Sequence, residues 1–183
     1  KSARKEIGDT AATLTRLGVS ASVSAKAMQT ATVALGMMPR EASATLIELE
    51  GFAREIGVAP AQLIEQYGTM GGSLAKLGQN GTRAFKDLAR VSKITGLEMQ
   101  KLLTMTDKFD TFEGAAEQAG KLNAALGQNA VNAMDLLMET DPAARFGMIR
   151  DSILDAGLSF DTMSYYQQKF YAETLGLKDA GEL

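Results

Sequence analysis

The chain contains no cysteine, no histidine and no tryptophan among its 183 residues. Without cysteine there is no disulfide and no thiolate nucleophile, and without histidine the most common general base is missing. A zinc site built from thiolate or imidazole ligands is excluded for the same reason. We therefore predict that the protein is not an enzyme and that it holds no cofactor and no metal.

Aromatic residues and positive charge are also scarce. Aromatic residues make up 6% of the chain, and the formal net charge is −3. No basic stripe stands out in the sequence, so we do not expect a specific nucleic-acid partner. The chain is 45% hydrophobic and has ten methionines, which predicts a core of Ala, Leu, Ile, Val and Met. Cores of this composition adapt well to helical bundles, because methionine is flexible and fills gaps.

A glycine followed by valine or leucine recurs along the chain, each time between two helical patterns. Glycine adopts the left-handed conformation that often ends an α-helix, and the next apolar residue folds back on the last turn. We therefore expect Val19 to meet Leu14 and Leu158 to meet Ile153. The five pairs are Gly18-Val19, Gly57-Val58, Gly96-Leu97, Gly157-Leu158 and Gly176-Leu177.

Helix starts are marked by proline and by capping residues. Asp141 precedes Pro142 in the order of a cap followed by a first-turn proline, and Asp110 with Glu113 has the spacing of a capping box. No stretch has the alternation of a strand, so the predicted fold class is all-α. The predicted helices cover residues 3–17, 21–36, 40–56, 60–67, 72–78, 82–95, 98–107, 111–126, 130–139, 142–156 and 162–175.

The first three glycine signals are evenly spaced and suggest a helical repeat. Gly18, Gly57 and Gly96 lie 39 residues apart, but the next signal, Gly157, follows after 61 residues. Even spacing is typical of a solenoid of helical pairs, whereas the break favours an irregular assembly of short helices. We expect the irregular assembly of short helices, in a bundle that can form oligomers.

The stretch "YGTMGGSLAKLGQNG", from Tyr67 to Gly81, is rich in glycine. It follows no strand and lacks the Lys-Ser/Thr ending of a phosphate-binding loop. We interpret it as a flexible joint at residues 68–81, between helical regions at residues 1–67 and 82–183. Because the chain starts with Lys1 and ends in what reads as the start of another element, we expect a segment of a longer protein.

The stretch from Leu17 to Met38 carries a single charge, Lys26. One interpretation is a helix buried in a bundle or an oligomer. The alternative is a membrane-active segment, although its many Ser, Thr and Gln residues disfavour a stable span. The residues that would enter the membrane are Leu17, Val23, Met28, Val33, Leu35 and Met38.

Three pairs of carboxylates deserve comparison with the acid and base of a glycosidase, which face each other across a cleft. Glu113 with Glu117 and Asp151 with Asp155 are each one helical turn apart, a spacing that usually faces solvent. Glu117 also precedes Lys121 by four residues, as in a surface ion pair. A third pair is Glu48 with Glu50, and no loop has the calcium-binding spacing of an EF-hand. These residues give no support for catalysis.

The aromatic residues cluster in two places, around Phe109 and between Phe160 and Tyr171. In the second cluster the charges are mixed, so a core ridge or an interface is a better interpretation than base stacking. Phe109, just outside the predicted helix, is the residue we expect to plug a neighbour. The predicted assembly residues are Phe109, Phe112, Tyr165, Tyr166, Phe170 and Tyr171.

Residues 81–183 resemble the tail tape measure proteins of tailed bacteriophages. The resemblance rests on a glycine-ended helix, then "KFDTFEGAAEQAGKLNAALG", a helix with paired leucines, an Asp-Pro-led helix and an aromatic helix near "MSYYQQKF". These are helix-packing positions and not catalytic ones. The preceding residues, 1–80, share only the helical character.

The resemblance implies a structural virion protein of the phage tail. Members of the family lie in the tail tube, set tail length during assembly in the host cytoplasm and leave ahead of the DNA at genome ejection. It implies homo-oligomers of three or six copies, with the baseplate hub and the tail tube proteins as partners and the host membrane as a transient one. An extended ruler would need sustained heptads, whereas these helices are short. We therefore expect a compact region near the tail tip or hub, and a membrane-active module for genome delivery as the alternative.

Overall fold

The structure is a computed structural model that describes residues 2–157, 168, 169 and 172. The described residues form ten α-helices and no strand, so the predicted all-α fold is confirmed. The chain divides into two compact units, Lys1–Ile94 and Thr95–Leu183. We call them unit 1 and unit 2.

Unit 1 is built around its longest helix, α3, which packs against three neighbours, α1, α2 and α4. A π-helical turn at Thr30–Ala34 continues α2, and a short 3-10 turn at Gly78–Asn80 precedes the last helix. The core is made of leucine and aromatic side chains, including Leu46, Leu49 and Phe85. The helices are α1 (Ser2–Arg16), α2 (Ala21–Gln29), α3 (Pro39–Ile56), α4 (Pro60–Thr69), α5 (Gly71–Ala75) and α6 (Gly81–Thr95).

The described part of unit 2, residues 95–157, contains two helical pairs, in which α8 packs on α9 and α10 packs on α7. Its core contains Leu102, Leu122, Leu136 and Ile149, all almost fully buried. The helices are α7 (Met99–Asp107), α8 (Phe112–Leu126), α9 (Ala133–Met138) and α10 (Pro142–Asp155).

The glycine signals end helices as predicted. Gly18, Gly57, Gly96 and Gly157 all have positive φ, between 73° and 89°. The amide of Val19 donates to the carbonyl of Leu14 at 2.9 Å, which is the six-residue bond of a Schellman ending. Val58 and Ala53 form the same bond at 2.8 Å. Two of the predictions, for Leu158 and for Gly176-Leu177, lie outside the described residues.

The predicted helix starts are confirmed at proline and corrected at α8. Pro39, Pro60 and Pro142 each open a helix, and an Asp141 carboxylate oxygen accepts from the amides of the first turn of α10. At α8 the cap is Thr111, whose hydroxyl accepts from the amide of Gly114 at 3.0 Å. Asp110 was predicted to start this helix, but its carboxylate instead binds an arginine of α10, described below.

Several predicted boundaries also shift. The helix predicted at 21–36 is α2 followed by the π-helical turn, and the helix predicted at 130–139 is shortened to α9 because Asn132 caps it. The side chain of Asn123 holds the preceding loop by bonding the amide and the carbonyl of Val131, at 2.7 and 2.8 Å. Most of the helix predicted at 162–175 lies outside the described residues.

The glycine-rich stretch at 68–81 is folded into unit 1, which corrects its prediction as a joint. A β-carbon on Gly68 would lie 3.1 Å from the backbone of Ala27, and one on Gly81 would lie 2.8 Å from the carbonyl oxygen of Leu74. These glycines therefore let backbones pack closely. The boundary between the units falls instead between Ile94 and Thr95.

Candidate functional site

The most distinctive surface of unit 1 surrounds the π-helical turn. The amide of Leu35 donates to the carbonyl of Thr30, five positions earlier, at 3.0 Å, which is the hydrogen bond of a π-helix. The Thr30 hydroxyl donates to the carbonyl of Gly68 at 2.9 Å and fixes the turn against α4. Gly36, with φ of 68°, then redirects the chain toward α3.

This arrangement leaves an open pocket of about 260 Å³ beside the turn. Typical small-molecule pockets have volumes of about 300–1,000 Å³, so this one is better matched to a single side chain than to a cofactor. Its wall is mostly apolar, because three glycines and two aliphatic residues contribute to it. The lining residues are Lys26, Gln29, Thr30, Val33, Ala34, Gly68, Thr69, Gly71 and Gly72.

Apolar side chains stand exposed at the pocket, which Val33 lines, and just before α3, where Met38 lies. Val33 is 75% exposed and Met38 is 71% exposed, although both are large and hydrophobic. Lys26 and Arg40 are exposed as well, and residues 17–40 contain no carboxylate. We call Lys26, Val33, Met38, Arg40 and the pocket the π-turn surface. It combines apolar contact area with positive charge.

The predicted membrane-active residues are divided between the core and the surface. Met28 is buried in unit 1. Val23 and Leu35 are half-buried, whereas Leu17, Val33 and Met38 are exposed. In the described part of the chain, no helix combines the length and the apolar character that crossing a membrane requires.

Unit 2 has an exposed apolar surface of its own, on α8 and α9. Phe112 is 66% exposed at the start of α8, and Met134 and Met138 are 48% and 74% exposed. The two methionines are four residues apart and so lie on the same side of α9. Glu113 and Asp135 are exposed beside them in the sequence. We call Phe112, Glu113, Met134, Asp135 and Met138 the Phe112 surface.

A buried arginine links the residues just before α8 and just after α9. Arg145 of α10 is 4% exposed, and its guanidinium bridges Asp110 before α8 and Glu139 after α9. Its Nη1 donates to an Asp110 carboxylate oxygen at 2.7 Å and to the Thr106 carbonyl at 2.7 Å, and its Nε donates to the Glu139 carbonyl at 2.8 Å. Phe112 and Met138 are the close chain neighbours of the two bridged groups.

Phe109, predicted to plug a neighbour, is buried in unit 2 itself with 2% of its surface exposed. The prediction is corrected: Phe109 is a core residue, because the chain between α7 and α8 turns it inward, and Phe112 is the exposed ring. The other predicted assembly residues, Tyr165, Tyr166, Phe170 and Tyr171, lie outside the described residues.

Four of the six carboxylates considered for catalysis are engaged in ion pairs, whereas Glu113 and Asp155 are exposed to solvent. Glu117 accepts from Lys121 at 2.5 Å, and this hydrogen bond and charge lower the pKa of Glu117. An Asp151 oxygen lies 2.7 Å from Arg150. The third predicted pair is engaged in the same way, since Glu50 binds Arg54 and Glu48 binds Lys86. Among the described residues, no group of acidic side chains is arranged to hold a metal ion.

A basic side of α6 was missed in the sequence. The positions Arg83, Lys86, Arg90 and Lys93 recur at helical spacing, and three of the side chains reach toward unit 1's own α3. Arg90 lies 4.8 Å and Lys86 lies 5.7 Å from the ring centroid of Phe52. Lys93 donates to the carbonyl that ends α3. Lys86, Arg90 and Lys93 therefore stabilise the packing of α6 against α3.

No protein-family model matches the chain, and neither the search of characterised proteins nor the search of solved structures finds a match.

Proposed function

We propose that the chain is a non-catalytic, folded helical segment of a phage tail tape measure protein. The observation that carries the proposal is the order of elements in residues 81–183, from a glycine-ended helix through "KFDTFEGAAEQAGKLNAALG" to the Asp-Pro-led helix. In the proposed role the segment packs with copies of itself and with hub and tube proteins. It thereby contributes to tail assembly and to DNA ejection.

The length of the helices supports a compact role near the hub over an extended ruler. The longest described helix, α3, has 18 residues, and the glycine-ended helices are followed at once by turns. A ruler in the tube would require a heptad pattern sustained over many turns. The compact units therefore suit the part of the protein at the tail tip.

The ion pairs of the carboxylates support a role without catalysis. A general acid needs a carboxyl group that stays protonated near neutral pH, usually through burial. The pKa of Glu117 moves in the opposite direction, because Lys121 stabilises its charged form. Peptidoglycan zymography with the purified chain tests this part. A clearing zone that Glu117→Gln abolishes would contradict it.

The membrane alternative has less support from the described residues. Insertion of the Leu17–Met38 stretch would expose Met28, Ala27 and Ala31, which are buried in the core of unit 1. The stretch would therefore have to leave its packing before it entered a bilayer.

Virion analysis tests the proposed function directly. We expect antibodies raised against the purified chain to label the tails of the phage that encodes it, at the end distal to the head. Labelling is expected to be lost after DNA ejection, and a control antibody against the tube protein should still label the emptied tails. Absence of the chain from purified virions would refute the proposal.

A further inference from the structure

The two units carry opposite net charge. Residues 1–94 contain twelve Lys and Arg against eight Asp and Glu, a net charge of +4. Residues 95–183 contain seven against fourteen, a net charge of −7. Opposite net charges steer two surfaces together and disfavour contacts between like surfaces.

The same asymmetry recurs at the two exposed apolar surfaces. The π-turn surface carries Lys26 and Arg40, and the nearest carboxylate in the sequence is the exposed Glu41 that follows Arg40. The Phe112 surface lies on residues 109–120 and 132–141, which contain six carboxylates. Two of these are paired with cations from outside the ranges, Asp110 with Arg145 and Glu117 with Lys121. Glu113 and Asp135 are its exposed acidic groups. Each surface thus has apolar side chains beside charges of one sign, and the signs are opposite.

The size and the lining of the pocket fit this pairing as well. The pocket of the π-turn surface has an apolar lining and a volume suited to one large side chain. Phe112 is a large apolar side chain that stands exposed at a helix start. Aromatic residues that enter pockets are the usual anchors of protein interfaces.

We propose that copies of this chain associate head to tail, with the Phe112 surface of one copy on the π-turn surface of the next. The contact is heterologous, because two different surfaces meet, and repetition of such a contact gives a ring or a filament. The choice of a second copy as the partner rests on the proposed function, in which the segment packs with copies of itself.

A mixing experiment tests the polarity of the contact. Val33→Asp disables one surface and Phe112→Asp disables the other, and both positions are exposed enough for the fold to tolerate the change. By sedimentation velocity, we expect wild type to self-associate and each variant to lose association by roughly 30-fold or more. Because each variant keeps one intact surface, an equimolar mixture should form a one-to-one dimer that stops there.

Charge variants and controls complete the test. Glu113→Lys and Lys26→Glu should each weaken association, and a mixture of the two should restore it only if these rim charges face each other. Raising the salt concentration should weaken the wild-type contact, since salt screens rim charges.

Two control variants, Ile94→Asp and Leu154→Asp, change exposed apolar residues elsewhere and should leave association unaltered. Circular dichroism of every variant confirms that the helices remain.

Three outcomes would overturn the inference. A wild-type chain that stays monomeric at all concentrations and low salt would do so, as would a mixture that shows no dimer. Recruitment of the chain to phosphatidylglycerol vesicles that Val33→Asp abolishes, with no self-association, would assign the π-turn surface to a membrane. Labelled tails combined with a failed mixing test would refute the interface and leave the proposed function intact.

Discussion

At the scale of single residues, Arg145 donates three hydrogen bonds that join separate segments of the described part of unit 2. It is buried, yet it bonds to α7, to the residue before the α8 cap and to the end of α9. A buried guanidinium is stable only with such partners, and those partners lose theirs when it is removed. Asp110 is half-exposed, so water can solvate its carboxylate in part.

Replacing this arginine should therefore destabilise the protein more than replacing an exposed one. We expect Arg145→Met to lower the free energy of unfolding by about 2–4 kcal/mol, below the range for a fully buried pair, because Asp110 is partly solvated. The matched control is Arg150→Met, whose arginine is exposed and pairs with its sequence neighbour. The control should change stability by less than about 1 kcal/mol in urea unfolding. Equal effects of both substitutions would contradict the assigned role.

Tyr67 links stability to alkaline pH. Its ring is buried edge-on against Phe85, with the centroids 5.2 Å apart, and its hydroxyl lies 3.1 Å from that of Thr82. Burial raises the pKa of Tyr67 above its usual 10.0, and the hydrogen bond with Thr82 lowers it in part. The contribution of this shift to stability is fully present below pH 10.0. It falls above that pH, because the phenol then ionises more readily in the unfolded chain.

We therefore expect Tyr67→Phe to lose about 1 kcal/mol at neutral pH, the usual contribution of one hydrogen bond. Above pH 10.0 its stability should decline less steeply than that of wild type, as measured by urea unfolding from pH 8 to 11. Phe85→Leu is the control, because it weakens the core but keeps the phenol. It should lose stability at every pH and retain the wild-type slope. Identical slopes for wild type and Tyr67→Phe would refute this linkage.

At the scale of helices and turns, glycine has two different roles that the structure separates. Gly81 starts α6 in contact with Leu74 and Leu35, with no room for a β-carbon. Gly51 lies inside α3 with nothing within 4 Å of the same atom. The first glycine is required by packing, whereas the second only weakens a helix.

Alanine at these two sites should therefore change stability in opposite directions. We expect Gly81→Ala to destabilise by about 1–3 kcal/mol, because the clash involves a backbone carbonyl that has to move. Gly51→Ala should stabilise by about 0.5–1 kcal/mol through better helix propensity. Thermal unfolding of both variants measures this. A neutral Gly81→Ala would contradict the close packing of Gly81 against Leu74.

The helices could be predicted from sequence because their ends are local. Glycine with positive φ, proline in a first turn and a capping carboxylate act within a few residues, so Gly18, Pro39 and Asp141 were assigned correctly. The site depends on distant contacts and could not be predicted in the same way. Arg145 contacts the carboxylate of Asp110, 35 positions earlier, and that contact reassigns Asp110 from capping to ion pairing.

The exposed surfaces were only partly visible in the sequence. Val33 and Met38 belong to a stretch whose low charge was noticed, but burial of Met28 in the same stretch required the fold. The spacing of Met134 and Met138 could have been noticed in the sequence. Two large apolar residues four positions apart on a six-residue helix lie on the same face. Whether that face is buried depends on its neighbours.

At the scale of the whole molecule, each unit has a core of its own. A destabilising substitution in one unit should therefore speed hydrogen exchange in that unit and not in the other. The Arg145 contacts all lie in unit 2, and Leu46, Leu49 and Ile64 form a core in unit 1. In Arg145→Met, hydrogen exchange followed by mass spectrometry should show faster exchange for amides of α7, α8 and α10. Amides of α3 and α4 should exchange at the wild-type rate.

The reciprocal variant makes this prediction sharper. Leu49→Ala removes a fully buried side chain of α3, which should cost about 2–5 kcal/mol and speed exchange in unit 1 alone. Subglobal opening of this kind is expected when cooperative units coincide with separate cores. If either substitution instead raised exchange equally in both units, the chain would unfold as one cooperative body. The opposite net charges of residues 1–94 and 95–183 would then belong to one cooperative folding unit.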